Sequence, residues 1–149
     1  MRQADEIWIN ASPKVVYALG EAVERWPEIL PHYRYVHLLK TEGDVRTVQM
    51  SASRSGIPVR WTSLLYPLPR QKKVRFKHIR GVTKGMDVEW RLTRERGGTR
   101  VRIEHDLRLR WPPLVRTIGE LIIGRFFIHN IAGKTLKRIK QLAETQAGR

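Results

Sequence analysis

The chain has 149 residues, enough for one domain that buries about two-thirds of its unfolded surface and holds both a core and a pocket. Its formal net charge of +15 is uneven: residues 1–50 carry 6 Lys+Arg against 7 Asp+Glu, while nine basic residues and no acidic one lie from Arg54 to Lys84. That field favours an anionic partner, and the absence of cysteine excludes disulfides, thiolate nucleophiles and thiolate metal sites.

Glu6 to Asn10 alternates as a short strand with Ile7 and Ile9 on one side. Ser12 then caps a helix that opens on Pro13 and runs through Val15, Val16 and Leu19. A second short helical stretch, EAVERWPEIL, is interrupted at Pro27. After Pro31 the period changes to two. Strands are expected over Tyr33–Lys40, Val45–Ser53, Ile57–Tyr66, Lys73–Ile79, Met86–Thr93 and Arg100–Arg110, joined by glycine-bearing turns and the loop PLPRQ. Val59, Trp61, Ser63 and Leu65 share one face of the third of these. Val74, Phe76 and His78 share a face of the next, followed by Met86, Val88, Trp90 and Leu92, then Val101, Ile103, His105, Leu107 and Leu109. In the strand from Tyr33 the register is ambiguous, because Val36 and Leu38 compete with Tyr35 and His37 for the inner face.

Pro112 to Ala147 is the longest helical pattern, with Gly124 as the place where it breaks or bends. Ile128, Ala132, Leu136, Ile139 and Ala143 form one apolar stripe; Ile118, Leu121, Ile122, Phe126 and Phe127 extend it toward the N-terminus. So wide a stripe needs a concave apolar partner, and the preceding sheet is the one available. The expectation is a single α+β domain over residues 1–149, a curved antiparallel sheet around a long C-terminal helix with two short helices after the first strand. Small residues such as Ala132 and Gly133 leave room opposite bulky strand side chains. The lack of an apolar leader or of an uninterrupted apolar run of about 20 residues predicts a soluble cytoplasmic protein.

INASPKVVYAL, VERWPEILPHY and KTLKRIKQLAE, in this order of elements, resemble the START-like helix-grip superfamily, and within it the polyketide cyclase/dehydrase and lipid-transport group. The resemblance covers essentially the whole chain. It implies a deep apolar cavity between sheet and helix for polyketides, sterols, lipids or quinones. In the middle region the aromatase/cyclase branch is most similar. Trp26 and Tyr33 match its aromatic pair near the cavity mouth, and Trp61 with Ser63 matches its W-x-S strand motif. Where that branch has an arginine two residues after the serine, this chain has Leu65, which takes the charge off the cavity face.

Cyclisation and dehydration of a poly-β-ketone need a proton donor or acceptor beside the substrate, and donors where an enolate develops. The resemblance or the alternation directs Tyr33, Ser63, His78 and His105 inward, with Tyr33, Ser63 and His105 as catalytic candidates. Trp26, Tyr33, Trp61, Ser63, Leu65, Phe76, His78, Met86, Trp90 and His105 are the expected ligand-binding set. A histidine on an apolar strand face is more often a satisfied core residue, and a serine hydroxyl is often bonded to nearby backbone. No metal-ligand spacing, nucleophile elbow or phosphate-binding glycine loop occurs, so no metal and no cofactor is expected.

Alternation also puts Arg60, Lys73, Arg75, Lys77, Arg102, Arg108 and Arg110 on the outer face, a basic surface suited to solvent, to an acidic acyl carrier protein or to an anionic membrane. Nucleic acid is the least supported partner, because the aromatic residues fall on the other face. The expected function is binding of an aromatic or polyketide-like molecule, with or without cyclisation. The alternative is a lipid or quinone carrier that docks on anionic membranes through the basic face.

Overall fold

The computed structural model describes residues 1–148. It contains seven strands: β1 (Arg2–Ile9), β2 (Tyr33–Glu42), β3 (Val45–Arg54), β4 (Ile57–Leu68), β5 (Lys73–Gly81), β6 (Asp87–Glu95) and β7 (Gly98–Asp106). They form one antiparallel sheet in the order β1-β7-β6-β5-β4-β3-β2. α1 (Pro13–Glu21), a 3-10 turn (Val23–Arg25) and α2 (Trp26–Ile29) follow β1, and the chain ends in α3 (Pro113–Ile122), a π-helical segment (Ile123–Ile128) and α4 (His129–Ala147). α4 packs on both β1 and β3, which lie toward opposite sides of the strand order, so the sheet curves around it.

Local chemistry accounts for the first helices. Ser12 Oγ accepts from the Val15 amide at 3.4 Å and Pro13 opens α1. Pro27, expected to interrupt a helix, instead sits in the first turn of α2, where no amide hydrogen is required. A β-bulge settles the register of β2. Tyr33 pairs with Ala52 but Tyr35 with Ser51, so Arg34 is the extra residue and the parity of the strand flips there. Tyr33 and Val36, three apart, both pair with inward positions (Ala52 and Met50), and Leu38 ends up exposed.

The apolar stripe on α4 behaves as expected: Ile128, Ala132, Leu136, Ile139 and Ala143 are all buried. Leu30, Leu107 and Ile139 are fully buried, each contributing roughly 1.5–3 kcal/mol in transfer terms. Two expectations fail at the ends. β7 stops at Asp106 instead of Arg110, although Leu107 and Leu109 still point inward. The long helix is not gripped along its whole length. Its first turns, α3, contact chiefly the π segment, and Ile118, Leu121 and Ile122 are exposed. The π segment contains Gly124, and a side chain there would meet the end of Met1, so the helix widens to π geometry where the N-terminus passes.

Candidate functional site

A cavity of about 630 Å³ lies between the inner face of the sheet and the terminal helical stretch, from Gly119 in α3 through the π segment to Thr135 in α4. Trp26, anchored by its Nε1 donating to the Leu19 carbonyl at 3.0 Å, meets Tyr33 edge-on at 5.0 Å between ring centroids and Trp90 at 5.7 Å. Trp61 stacks on His78 at 5.6 Å and 6°. Phe76, Met86 and Ile103 continue the strand wall, while Ile128, Ile131, Ala132 and Thr135 supply the helix wall. Ala132 faces the cavity, as its size suggests, but a side chain on Gly133 would meet open space, so Gly133 creates no room inside.

Of the ten residues expected at the site, Trp26, Tyr33, Trp61, Phe76, His78, Met86, Trp90 and His105 line this cavity. Ser63 and Leu65 do not. Ser63 is paired with Val48 and His78 and diagonal to Met50 and Phe76, and its short side chain lies fully buried beneath those larger ones. Its Oγ has no hydrogen-bond partner, so the backbone-bonded hydroxyl envisaged from sequence is not what forms. Leu65 is fully buried between Phe76 of β5 and Arg46 of β3, the arginine that clamps Glu21 and Glu24; it is core, not cavity wall.

The polar groups in the cavity are held neutral. Burial lowers His78 to about 3, with repulsion between the protonated forms of His78 and His105 and the Lys77 charge adding to the effect, and burial lowers His105 to about 4. Burial also pushes the Tyr33 phenol well above its ordinary value, against a smaller opposing effect of Thr135. His78 Nδ1 is 2.7 Å from Thr83 Oγ1, whereas His105 Nδ1 has no protein partner. Each group can therefore donate or accept a hydrogen bond near neutral pH, and none carries charge into the apolar space.

Sequence reasoning missed several lining groups. Thr135 donates to the Ile131 carbonyl at 2.8 Å, so its oxygen accepts from His32 Nε2, also at 2.8 Å, which fixes the His32 tautomer. Burial, then the Lys134 charge, lowers His32 to about 4. A threonine inside the apolar stripe of α4 was the available signal. Arg60, assigned by alternation to the outer face, lines the mouth together with Pro58, Val82 and Trp111, and Phe127 enters from the π segment. No alternation rule reaches a hairpin end, a turn or a π-helical segment.

The outer sheet face is not the free basic surface expected. Glu89 sits among Lys73, Arg75 and Arg91, Asp87 pairs with Lys77, Arg102 bridges Glu6 and Glu104, and Arg108 meets Asp106. Cross-strand register interleaves the signs, so most of that charge is compensated locally. Among the described residues no group of three or more histidines or carboxylates is placed to hold a metal ion.

A family profile described as polyketide cyclase / dehydrase and lipid transport matches residues 9–126. No curated protein sequence matches the chain. Among solved structures, TTHA0849 from Thermus thermophilus shares 21% identity at a TM-score of 0.81, covering 99% of each chain. The Zhui aromatase/cyclase from Streptomyces sp. R1128 shares 18% at 0.81, covering 97% of this chain and 93% of that one. The major latex-like protein 151 of Panax ginseng shares 14% at 0.79, covering 96% and 97%. These likenesses show the helix-grip fold.

Proposed function

The chain belongs to the polyketide cyclase / dehydrase and lipid transport family, and on that premise we propose that it binds an aromatic or polyketide-like molecule in the cavity between sheet and α4. The observation that carries the reading is the cavity itself. About 630 Å³ is walled by aromatic and aliphatic side chains and interrupted by a few neutral hydrogen-bonding groups, the composition of a site for an apolar molecule with scattered oxygens. His105 borders the cavity, while its unpaired Nδ1 lies closed off from the open space.

The chemistry such a site favours is polarisation. A neutral imidazole or a protonated phenol donates to a carbonyl and to the enolate that develops from it, as cyclisation of a poly-β-ketone requires. Tyr33 and His105 take that role in this reading, and His78 is oriented by Thr83. Ser63 leaves the catalytic set because it does not reach the cavity. Imidazoles lowered to about 3 and about 4 are weak bases, which supports the second reading, a carrier of a lipid or quinone that performs no chemistry.

Tyr33→Phe and His105→Phe separate the two. With a poly-β-ketone mimic, a cyclase keeps its ligand affinity within a few-fold and loses product formation by about 10²-fold or more per variant. A carrier shows no product in any form of the protein. Failure of the parent chain to take up any aromatic or polyketide-like molecule overturns the binding proposal itself.

A further inference from the structure

We infer that the rim of the cavity mouth is a docking surface for an anionic lipid membrane, with α3 lying in the plane of the interface. α3 presents Leu114 at 76% exposure, Val115 and Ile118 at 53% and Ile122 at 54%, a stripe that no strand covers. Trp111 and Leu109 close against Gly119 from beneath and leave that stripe outward. Two further apolar tips stand at the same rim: Ile57 from the β3–β4 hairpin and Val82 from the β5–β6 turn, each at 48%. The cavity lining brings these segments together, since Pro58, Val82, Trp111 and Ile122 all border it.

Charge decides what the stripe meets. Arg60, Arg80, Lys84, Arg110, Arg116 and Arg125 are exposed around it and have no ion-pair partner among the described residues. The acidic residue of α3, Glu120, is turned inward, accepting from the Leu109 amide at 3.1 Å and facing the N-terminal amine. A second copy docked on this face would set arginines against arginines across a two-fold axis. Aliphatic side chains flanked by uncompensated cations match instead a hydrocarbon surface bearing phosphates. No helix among the described residues is long and apolar enough to cross a membrane, so α3, ten residues long, rests on the surface. The docked mouth would open onto the lipid, and an apolar ligand would enter without crossing water. The inference extends the ligand-binding reading, and a vesicle assay without ligand tests it separately.

The test is co-sedimentation of the full chain with phosphatidylcholine vesicles with and without phosphatidylglycerol, at low and high salt. Binding is expected only with the anionic lipid, falling with salt. Arg110→Gln and Arg116→Gln should each weaken it about fivefold, and the double variant Leu114→Glu/Ile118→Glu should reduce it at least about tenfold. Those two side chains are exposed, so an unchanged Tm confirms that the fold survives. Arg75→Gln, on the ion-paired sheet face, serves as the charge-matched control and should bind as the parent does. Binding equal on neutral and anionic vesicles, or parent-like binding by the Leu114→Glu/Ile118→Glu variant, overturns the inference. So does an absence of vesicle binding accompanied by self-association, or by capture of an acidic acyl carrier protein, that the same variant abolishes.

Discussion

Acidification should unfold this protein well above the pH at which its carboxylates protonate. His32, His78 and His105 are neutral when folded, with values of about 4, about 3 and about 4 against an ordinary 6.5, and burial is the main cause for each. Below pH 6.5 the unfolded chain takes up protons at these three positions and the folded chain does not, so stability falls as pH falls until the folded values are reached. From pH 7 to pH 5 each histidine costs about 2 kcal/mol, or about 6 kcal/mol together. Asp5, whose carboxyl burial pushes up, works in the opposite direction and trims that loss. Against a typical total of about 5–15 kcal/mol, the protein at pH 5 would be marginal. Urea unfolding followed by tryptophan fluorescence reads this as a midpoint lower by about 2 M at pH 5 with an unchanged slope. His78→Gln should recover about a third of the difference. Coincident curves at the two pH values, or a full drop retained in His78→Gln, would refute the assignment of buried neutral imidazoles.

The remaining expectations concern particular packing. Gly81 has φ +107 and a side chain there would come within 2.7 Å of the Arg60 carbonyl oxygen, so Gly81→Ala should cost about 1–3 kcal/mol in urea unfolding; a loss below that range would mean the β5 end is free to shift. Gly124→Ala meets only the movable ends of Met1 and Gln3 and should stay within about 1 kcal/mol of the parent. Arg46 joins the Glu21 and Glu24 carboxylates and the Glu21 carbonyl at 2.6–2.8 Å, tying β3 to the first helical segment. Arg46→Met should destabilise by about 1–2 kcal/mol, less than a fully buried pair because both carboxylates are about one-third exposed; a neutral effect would show the clamp to be decorative.

The fold was legible because its signals are periodic. Alternation from Tyr33 onward and the stripe from Ile128 to Ala143 each specify one buried face, and an antiparallel sheet closed on a helix satisfies both. The strand side of the cavity wall followed from the same rule, since Trp61, Phe76, Met86 and Trp90 are inward residues large enough to border a space, while Trp26, on α2, was placed by the family resemblance. Ser63 obeyed the alternation yet missed the cavity, because facing inward does not say which neighbours stand in front. Tyr33 could not be placed from parity at all, since the bulge at Arg34 changes parity and leaves no mark in the sequence. Arg60 apart, which lines the cavity mouth, the sheet charges lie on the expected face, but pairing depends on register between strands, and register decides that Glu89 neutralises Lys73, Arg75 and Arg91. α3 was read as buried because its apolar stripe continues that of α4. Periodicity says that a stripe exists, and the π segment at Gly124 determines that the sheet no longer covers it.

The central claim is that an apolar ligand occupies the space between sheet and α4, and Ala132 is the residue through which to test it. Native mass spectrometry of the protein with an aromatic polyketide mimic should show one ligand per chain, and Ala132→Phe, which puts a ring into the cavity from the helix side, should abolish uptake while the chain stays folded by circular dichroism. Equal uptake by the parent and by folded Ala132→Phe would place the ligand elsewhere, and no uptake by either would contradict the account.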